Sequence, residues 1–350
     1  MNTAGLGGVA ATSDYVIVSD RELNDSVDTW RCFAADTGKP LWSVRNPAPG
    51  MLDYGNSPRA TPVIVHERAY LFGAFGHLTC VKLDSGEVGW ETNLKDEYEP
   101  EAVPKWGTCS TPLIIEDRVI VNPGAKDASL VALDAKSGKQ LWKTPGKAAG
   151  YGSLITMSVR GKTQIIGHDA VSLGGWDPAS GQRLWTLVPE KPNDFNVPTP
   201  IVIGDQLLVV TENNGTRLYD FDDAGKLKPK PVALNRKLVP DTHTPVVTAG
   251  RVFGLWRRLY CLDLANGLKE LWSAEGDGFA KYGALVADDL RVLAITMTGE
   301  LILFDAKAAE YTELARLKVL EGETGLYSHP ALVKNRIYIR GSNSLVACVL

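Results

Sequence analysis

Residues 132–142 read ALDAKSGKQLW, and a near copy, CFAADTGKPLW, occupies residues 32–42. Aligned on Gly and Trp, the pattern returns as CVKLDSGEVGW at 80–90 and GWDPASGQRLW at 175–185, and with one extra residue as CLDLANGLKELW at 261–272. Two degraded copies follow the same rhythm: LYDFDDAGKL around Gly225, and LILFDAKAAEYTEL from Leu301, which has lost both Gly and Trp. The anchors Gly38, Gly86, Gly138, Gly181, Gly225 and Gly267 lie 42 to 52 residues apart. A period of that size marks a repeat architecture.

Each unit opens with a small residue, often followed by Pro, then an apolar run, a turn and a second run, as in STPLIIEDRVIVNP, PTPIVIGDQLLVV and HTPVVTAGRVFGL. The runs are short and rich in Val, Ile and Leu, with Glu-Asp, Gly-Asp or Ala-Gly turns between them, which is strand chemistry. LVALD adds a third strand and QLW a fourth, so each unit reads as a four-stranded antiparallel meander. A helical reading fails because Gly and Pro, 34 and 20 in number, interrupt every candidate stripe. Four strands per repeat predict an all-β, eight-bladed β-propeller occupying residues 1–350 as one domain, with unit starts near Gly8, Thr61, Thr111, Ser153, Thr199, Thr244, Gly283 and His329. The last unit stops after its third strand, so an incomplete eighth blade, or a chain trimmed at its front end, is expected; a seven-bladed ring is the alternative.

The repeated letters have a physical reading. Gly138 allows a tight turn with positive φ. Trp142 then offers a flat apolar surface for stacking on the next blade, as do Trp42, Trp90, Trp185 and Trp272. The first motif position is Cys32, Cys80, Ala132, Gly175 or Cys261, always small, leaving room for a bulky neighbour. The five cysteines show no metal-ligand spacing and read as reduced, structural residues.

ALDAKSGKQLW resembles the tryptophan-docking motif of the pyrroloquinoline quinone (PQQ)-like β-propeller repeat family, A-x-D-x-x-T-G-x-x-x-W, with Ser in place of Thr. That resemblance covers nearly the whole chain and implies the propeller fold. It leaves function divided, since the family includes quinoprotein alcohol and glucose dehydrogenases and a periplasmic scaffold lipoprotein of the outer-membrane β-barrel assembly machinery. WD repeats are set aside, because the only Trp-Asp pair, Trp176-Asp177, stands inside the turn motif.

The composition limits the partners. A net charge of −4 provides no basic footprint for nucleic acid. No apolar run is long enough to span a bilayer. The start, MNTAGLGGVAATSDY, has no signal-peptide pattern, so the chain is expected either in the cytoplasm or without its leader; the family resemblance implies an extracytoplasmic site.

Loops entering each blade carry aromatic, imidazole and guanidinium groups. Tyr54, Arg59, Trp106, Tyr151, His168, His243, Arg257, Tyr282, Tyr327 and His329 are the candidate ligand-binding residues on one rim. Asp169, Glu212 and Asn213 have the oxygen chemistry of a calcium site, although ENNG reads first as the chemistry of a tight turn. No catalytic fingerprint occurs. The expected function is therefore a non-catalytic binding or scaffold propeller, a monomer with a protein or small-molecule partner at the channel rim and no cofactor. The alternative is a PQQ- and calcium-dependent dehydrogenase, with Trp106 as a stacking surface and Asp241 as its base.

Overall fold

The computed structural model describes all residues except Ala4, Val103 and Thr324. The described strands form eight antiparallel sheets, each built from consecutive strands, in the architecture of an eight-bladed β-propeller. Seven sheets have four strands and the last, Ala331–Val333, Arg336–Arg340 and Leu345–Val349, has three. The incomplete final blade is thus as the repeat count predicts. One short helix, Leu94–Tyr98, follows the second blade. The chain divides into two compact units: Met1–Ala149 with Gly322–Leu350, holding blades 1 to 3 and 8, and Gly150–Glu321, holding blades 4 to 7.

Within each sheet the motif sets the register. Cys32, Cys80, Ala132, Gly175 and Cys261 lie directly opposite Trp42, Trp90, Trp142, Trp185 and Trp272 of the same blade. A β-bulge follows the small residue in each of these five pairs, which re-aims the outer strand. At Gly175 the constraint is absolute, since a Cβ there would stand 2.2 Å from the Trp185 indole nitrogen. Cys32, Cys80 and Cys261 are fully buried under their tryptophans.

The glycine of the next blade receives the indole. A Cβ on Gly86 would meet the Trp42 ring at 2.8 Å, and one on Gly138 the Trp90 ring at 2.7 Å. Both glycines have φ near +70° (72° and 71°), so one residue type satisfies the turn and the close approach together. The indole N–H is also bonded: Trp42 Nε1 donates to the Leu83 carbonyl at 2.8 Å and Trp90 Nε1 to the Ala135 carbonyl at 3.1 Å. This acceptor stands three residues before the glycine. Its own N–H bonds back to the first turn of its blade, Leu83 N to Glu67 O and Ala135 N to Asp117 O, which fixes the carbonyl's direction.

Other seams keep that acceptor and change the donor. Blade 8 has three described strands, and Tyr338 Oη and Arg336 donate to the Ala35 carbonyl of blade 1 at 3.0 and 3.1 Å. Arg160 donates to the Phe221 carbonyl between blades 4 and 5, and Arg251 to the Ala306 carbonyl between blades 6 and 7. At Trp185 a relay replaces the direct bond: the indole donates to Gln164 Oε1 at 2.7 Å, and Gln164 Nε2 donates to the Gly225 carbonyl at 2.9 Å. Trp272 faces the repeat that lost its glycine. It packs against Phe253, Phe304 and Tyr311, and its buried indole nitrogen has no hydrogen-bond partner.

A second, inner seam explains the small residues that open each unit. The Thr111 hydroxyl accepts from Thr61 N, that of Thr199 from Ser153 N, and that of Thr244 from Thr199 N, at 3.0 to 3.3 Å. Blades 2 and 3, and blades 4 and 5, are therefore bonded at both their inner and outer ends.

Two comparisons check the docking contact. Gly38 has φ of +69° but open space around its Cβ position, so Gly38→Ala carries only the turn strain, about 1 kcal/mol. Gly86→Ala adds a clash with Trp42 and is expected to cost a further ~1–3 kcal/mol in denaturant unfolding. Likewise Trp90→Phe loses a buried hydrogen bond worth about 1 kcal/mol that Trp272→Phe does not lose, so its midpoint falls further.

Candidate functional site

In the unit containing blades 1 to 3 and 8, the residues between the blades are organised by Arg21. It is 1% exposed and lies 2.5 Å from both Asp25 and Asp28. It also donates to the Ala48 carbonyl at 2.8 Å, and its guanidinium stands over the Phe75 ring at 5.3 Å. Asn56 completes the junction by donating to Asp25 at 2.6 Å. Burial pushes the Asp28 carboxyl up to about 6, against the opposing pull of Arg21. Arg21 ends the strand Tyr15–Arg21, and nothing in the letters around it marks it as the residue joining loops 22–26 and 48–56.

These joined loops hold Leu23, Met51 and Tyr54 in water, at 82%, 91% and 82% exposure. These large apolar side chains stand out on loops that Arg21 and Asn56 tie together, which makes them candidates for contact with a partner. Tyr54 adopts φ of +62° and meets the edge of Trp106 with ring centroids 6.2 Å apart. Trp106 is half-buried. Arg59 is not directed outward: it donates to the carbonyls of Ser57, Asp53 and Gly55, tying its own loop. Tyr327 is partly exposed, whereas burial holds His329 below the ordinary imidazole range and its carbonyl accepts from Val9 N at 2.9 Å. Of the five rim residues predicted in this unit, the structure brings Tyr54 and Trp106 into contact.

In the unit of blades 4 to 7, Tyr151 and Tyr282 are half-buried and Arg257 is exposed, its guanidinium 5.3 Å from the Trp256 ring centre. His243 is buried, with Nε2 accepting from Leu255 N at 2.6 Å, which assigns it to loop support. Thr242 donates to Asp241 at 3.0 Å. His168 is buried, and neither ring nitrogen has a hydrogen-bond partner. It borders a small cavity with Ser172, Asp194, Asn196 and Arg217. Burial first, and the Arg217 charge second, hold its pKa down at about 4.

The oxygen-bearing residues are bonded mainly within their own loops, and Glu212 Oε2 is buried with no hydrogen-bond partner. Asp169 Oδ1 accepts from Val171 N, Ser172 N and the Ser172 hydroxyl, and Oδ2 pairs with Arg183 at 2.8 Å. Glu212 Oε1 accepts from Phe195 N, and Asn213 bonds to Asp194 and Asn193. A calcium ion at Asp169 would have to displace Arg183, so this carboxylate does not suit the ion. Among the described residues, no group of three His, Cys, Asp or Glu side chains has metal-holding geometry.

His168 gives a signed pH dependence. Its folded pKa of about 4 lies below the ordinary 6.5, so between those values the unfolded chain binds the proton and the folded chain does not. Its contribution to stability is full above pH 6.5 and falls as pH drops toward 4. Thermal melts across that window are expected to show a falling Tm, and His168→Phe to shallow the slope. His77 and His329 shift in the same direction, whereas Asp28, raised to about 6, opposes them over the same window.

The family model described as outer membrane protein assembly factor BamB matches residues 24–274. The chain is 24% identical over 302 residues to the outer membrane protein assembly factor BamB of Shewanella oneidensis, covering 81% of this chain and 68% of that one. It is 27% identical over 181 residues to the protein of that name from Burkholderia pseudomallei, covering 49% and 44%. Among solved structures, it resembles BamB from Moraxella catarrhalis with a TM-score of 0.64 and 16% identity, over 99% of this chain and 94% of that one. Quinohemoprotein alcohol dehydrogenase from Comamonas testosteroni gives 0.66 and 14%, over 97% and 70%. The computationally designed Ika8 protein gives 0.70 and 11%, over 100% and 97%. At these identities the structural likenesses establish the fold alone.

Proposed function

The chain belongs to the family of the outer membrane protein assembly factor BamB, and from that membership and the geometry above we infer that it is a non-catalytic scaffold propeller that binds protein partners. The observation that carries the reading is the trio Leu23, Met51 and Tyr54, apolar and exposed on loops that a buried arginine holds in place. Rigid loops lose little entropy on binding, and exposed aromatic and apolar anchors supply contact area. The remaining rim residues, Trp106, Tyr327 and Arg257, would extend the contact.

Outer-membrane protein assembly is the process named for its relatives, and this reading places the chain at that membrane's inner surface, outside the cytoplasm, as one monomeric propeller domain. No described helix is long and apolar enough to cross a membrane. The reading needs no cofactor: the Asp169 carboxylate is paired with Arg183, and Glu212 holds Phe195 N.

The test is cross-linking in cells followed by mass spectrometry. The native chain is expected to yield outer-membrane assembly components. The triple variant Leu23→Ser, Met51→Ser, Tyr54→Ala should lose most of that yield with Tm within about 2 °C, since exposed positions contribute little to stability. Equal yields from both proteins would remove this surface from the account. Retention of PQQ with calcium through gel filtration, with dye reduction by alcohols, would replace the scaffold reading by an enzymatic one.

A further inference from the structure

Residues 224–240, AGKLKPKPVALNRKLVP, hold five of the chain's 37 basic residues and none of its 41 acidic ones. That composition stands apart in a chain whose net charge is −4. The segment forms the outer border of blade 5. Ala233–Asn235 pairs with the strand Gly215–Tyr219, and the residues before it follow the same strand through Lys228 N to Asp220 O and Val232 N to Leu218 O, at 2.9 and 2.8 Å. Leu227 and Leu238 are buried and fix its two ends, whereas Lys226, Lys228, Lys230, Arg236 and Lys237 are exposed. Val232 and Leu234 lie among these cations at 51% and 38% exposure.

Lys237 pairs with Glu270 at 2.7 Å and Lys228 with Asp220 at a longer 3.6 Å. Among the described residues, Lys226, Lys230 and Arg236 have no carboxylate within 4.0 Å. The nearest acids in sequence, Asp220, Asp222 and Asp223, belong to the preceding turn, where Asp222 accepts from Lys226 N and Asp220 from Gln206, both at 2.8 Å. Arg160 of blade 4 adds a guanidinium at that turn, donating to the Phe221 and Asp222 carbonyls at 3.2 and 3.3 Å. Lysine and proline on an outer strand also guard a sheet edge against pairing. The prolines meet that need by themselves: Pro229 and Pro231 alternate with the inward-bonded Lys228 and Val232 and bring no N–H to the outer side. Five cations without an acid are more than it asks, and the outer strands Lys269–Ala274 and Glu313–Lys318 mix both signs.

We propose that residues 226–237 are a membrane-contact surface, lying against the headgroups of a bilayer that contains anionic phospholipid, with Val232 and Leu234 entering the interface between the cations. Clustered lysines beside apolar side chains suit a surface of fluid phosphates. Four of the five cations are lysine, whose flexible point charge follows mobile headgroups, whereas a fixed carboxylate partner favours the planar fork of arginine. An acidic polypeptide fits less well for that reason, and because Pro229 and Pro231 deny it strand pairing there. The surface goes beyond the protein-binding reading and does not rest on it.

The test is flotation of the full chain with vesicles of phosphatidylcholine, with and without phosphatidylglycerol. Binding is expected only with the anionic lipid, and should fall steeply between about 0.05 and 0.5 M NaCl as the charges are screened. A cation at such a surface contributes about fivefold. Lys226→Gln, Lys230→Gln and Arg236→Gln together should therefore weaken partition at least tenfold, with Tm within about 2 °C because the positions are exposed. Removing as many charges at Lys136, Lys139 and Lys143, exposed on blade 3, should change partition by no more than about twofold. Val232→Ser with Leu234→Ser should weaken it about fivefold and leave the salt dependence as it is. If the triple variant melts early, Lys230→Glu alone carries the test, with a loss of about fivefold or more. No binding to anionic vesicles at low salt, with or without capture of an acidic peptide, would overturn the proposal, as would equal loss from the blade 3 variant. None of those results would touch the cross-links read at Leu23, Met51 and Tyr54.

Discussion

The structure depends on one backbone carbonyl repeated from blade to blade. Leu83, Ala135, Phe221, Ala306 and Ala35 present it in turn, and the donors are two tryptophans, two arginines, and a tyrosine with an arginine. Because the acceptor is main chain, its residue type is free to vary, provided the turn keeps its shape. At Leu83, Ala135, Ala306 and Ala35 that shape is held by the bond from the same residue's N–H to the first turn of its blade. The seam persists while the repeats diverge because only the donor is a side chain. Where the indole's bond is lost, as at Trp272, Arg251 takes the Ala306 carbonyl and the ring packs on Phe304 and Tyr311.

Stacked blades fix the loops between them, and function follows from that rigidity. The Arg21 junction shows the logic on a small scale: a buried charge is satisfied by two carboxylates and two carbonyls, and the loops it ties then display apolar groups to water. Removing one partner would leave a buried ion uncompensated, which is costly, so the junction keeps its loops in one arrangement. The His168 cavity is the opposite case. Its ring is buried without a hydrogen-bond partner, so it remains neutral through the mildly acidic range.

Most of the fold was legible because the repeat is written in side chains. The period, the small residue opposite each tryptophan, the turn glycines and the three-stranded last blade all follow from letters that recur. The acceptor carbonyl was not legible, since a backbone atom leaves no mark in composition. The hydroxyl bonds of Thr111, Thr199 and Thr244 were visible only as a preference for small residues. Rim residues were harder to read, because a polar or aromatic letter in a loop does not say which way it turns. Arg59 and His243 turn inward to hold main chain, whereas Tyr54 turns out. Leu23 and Met51 carried no signal beyond hydrophobicity in a loop.

The thiols opposite the tryptophans have a chemical consequence. Burial pushes those of Cys32 and Cys261 up to about 12, and that of Cys80 upward too. The thiolate is the nucleophile in disulfide exchange, so at neutral pH these sulfurs present almost none of the reactive form. These three sulfurs can therefore sit among oxidants without scrambling or cross-linking, as long as each indole stays seated over its own sulfur.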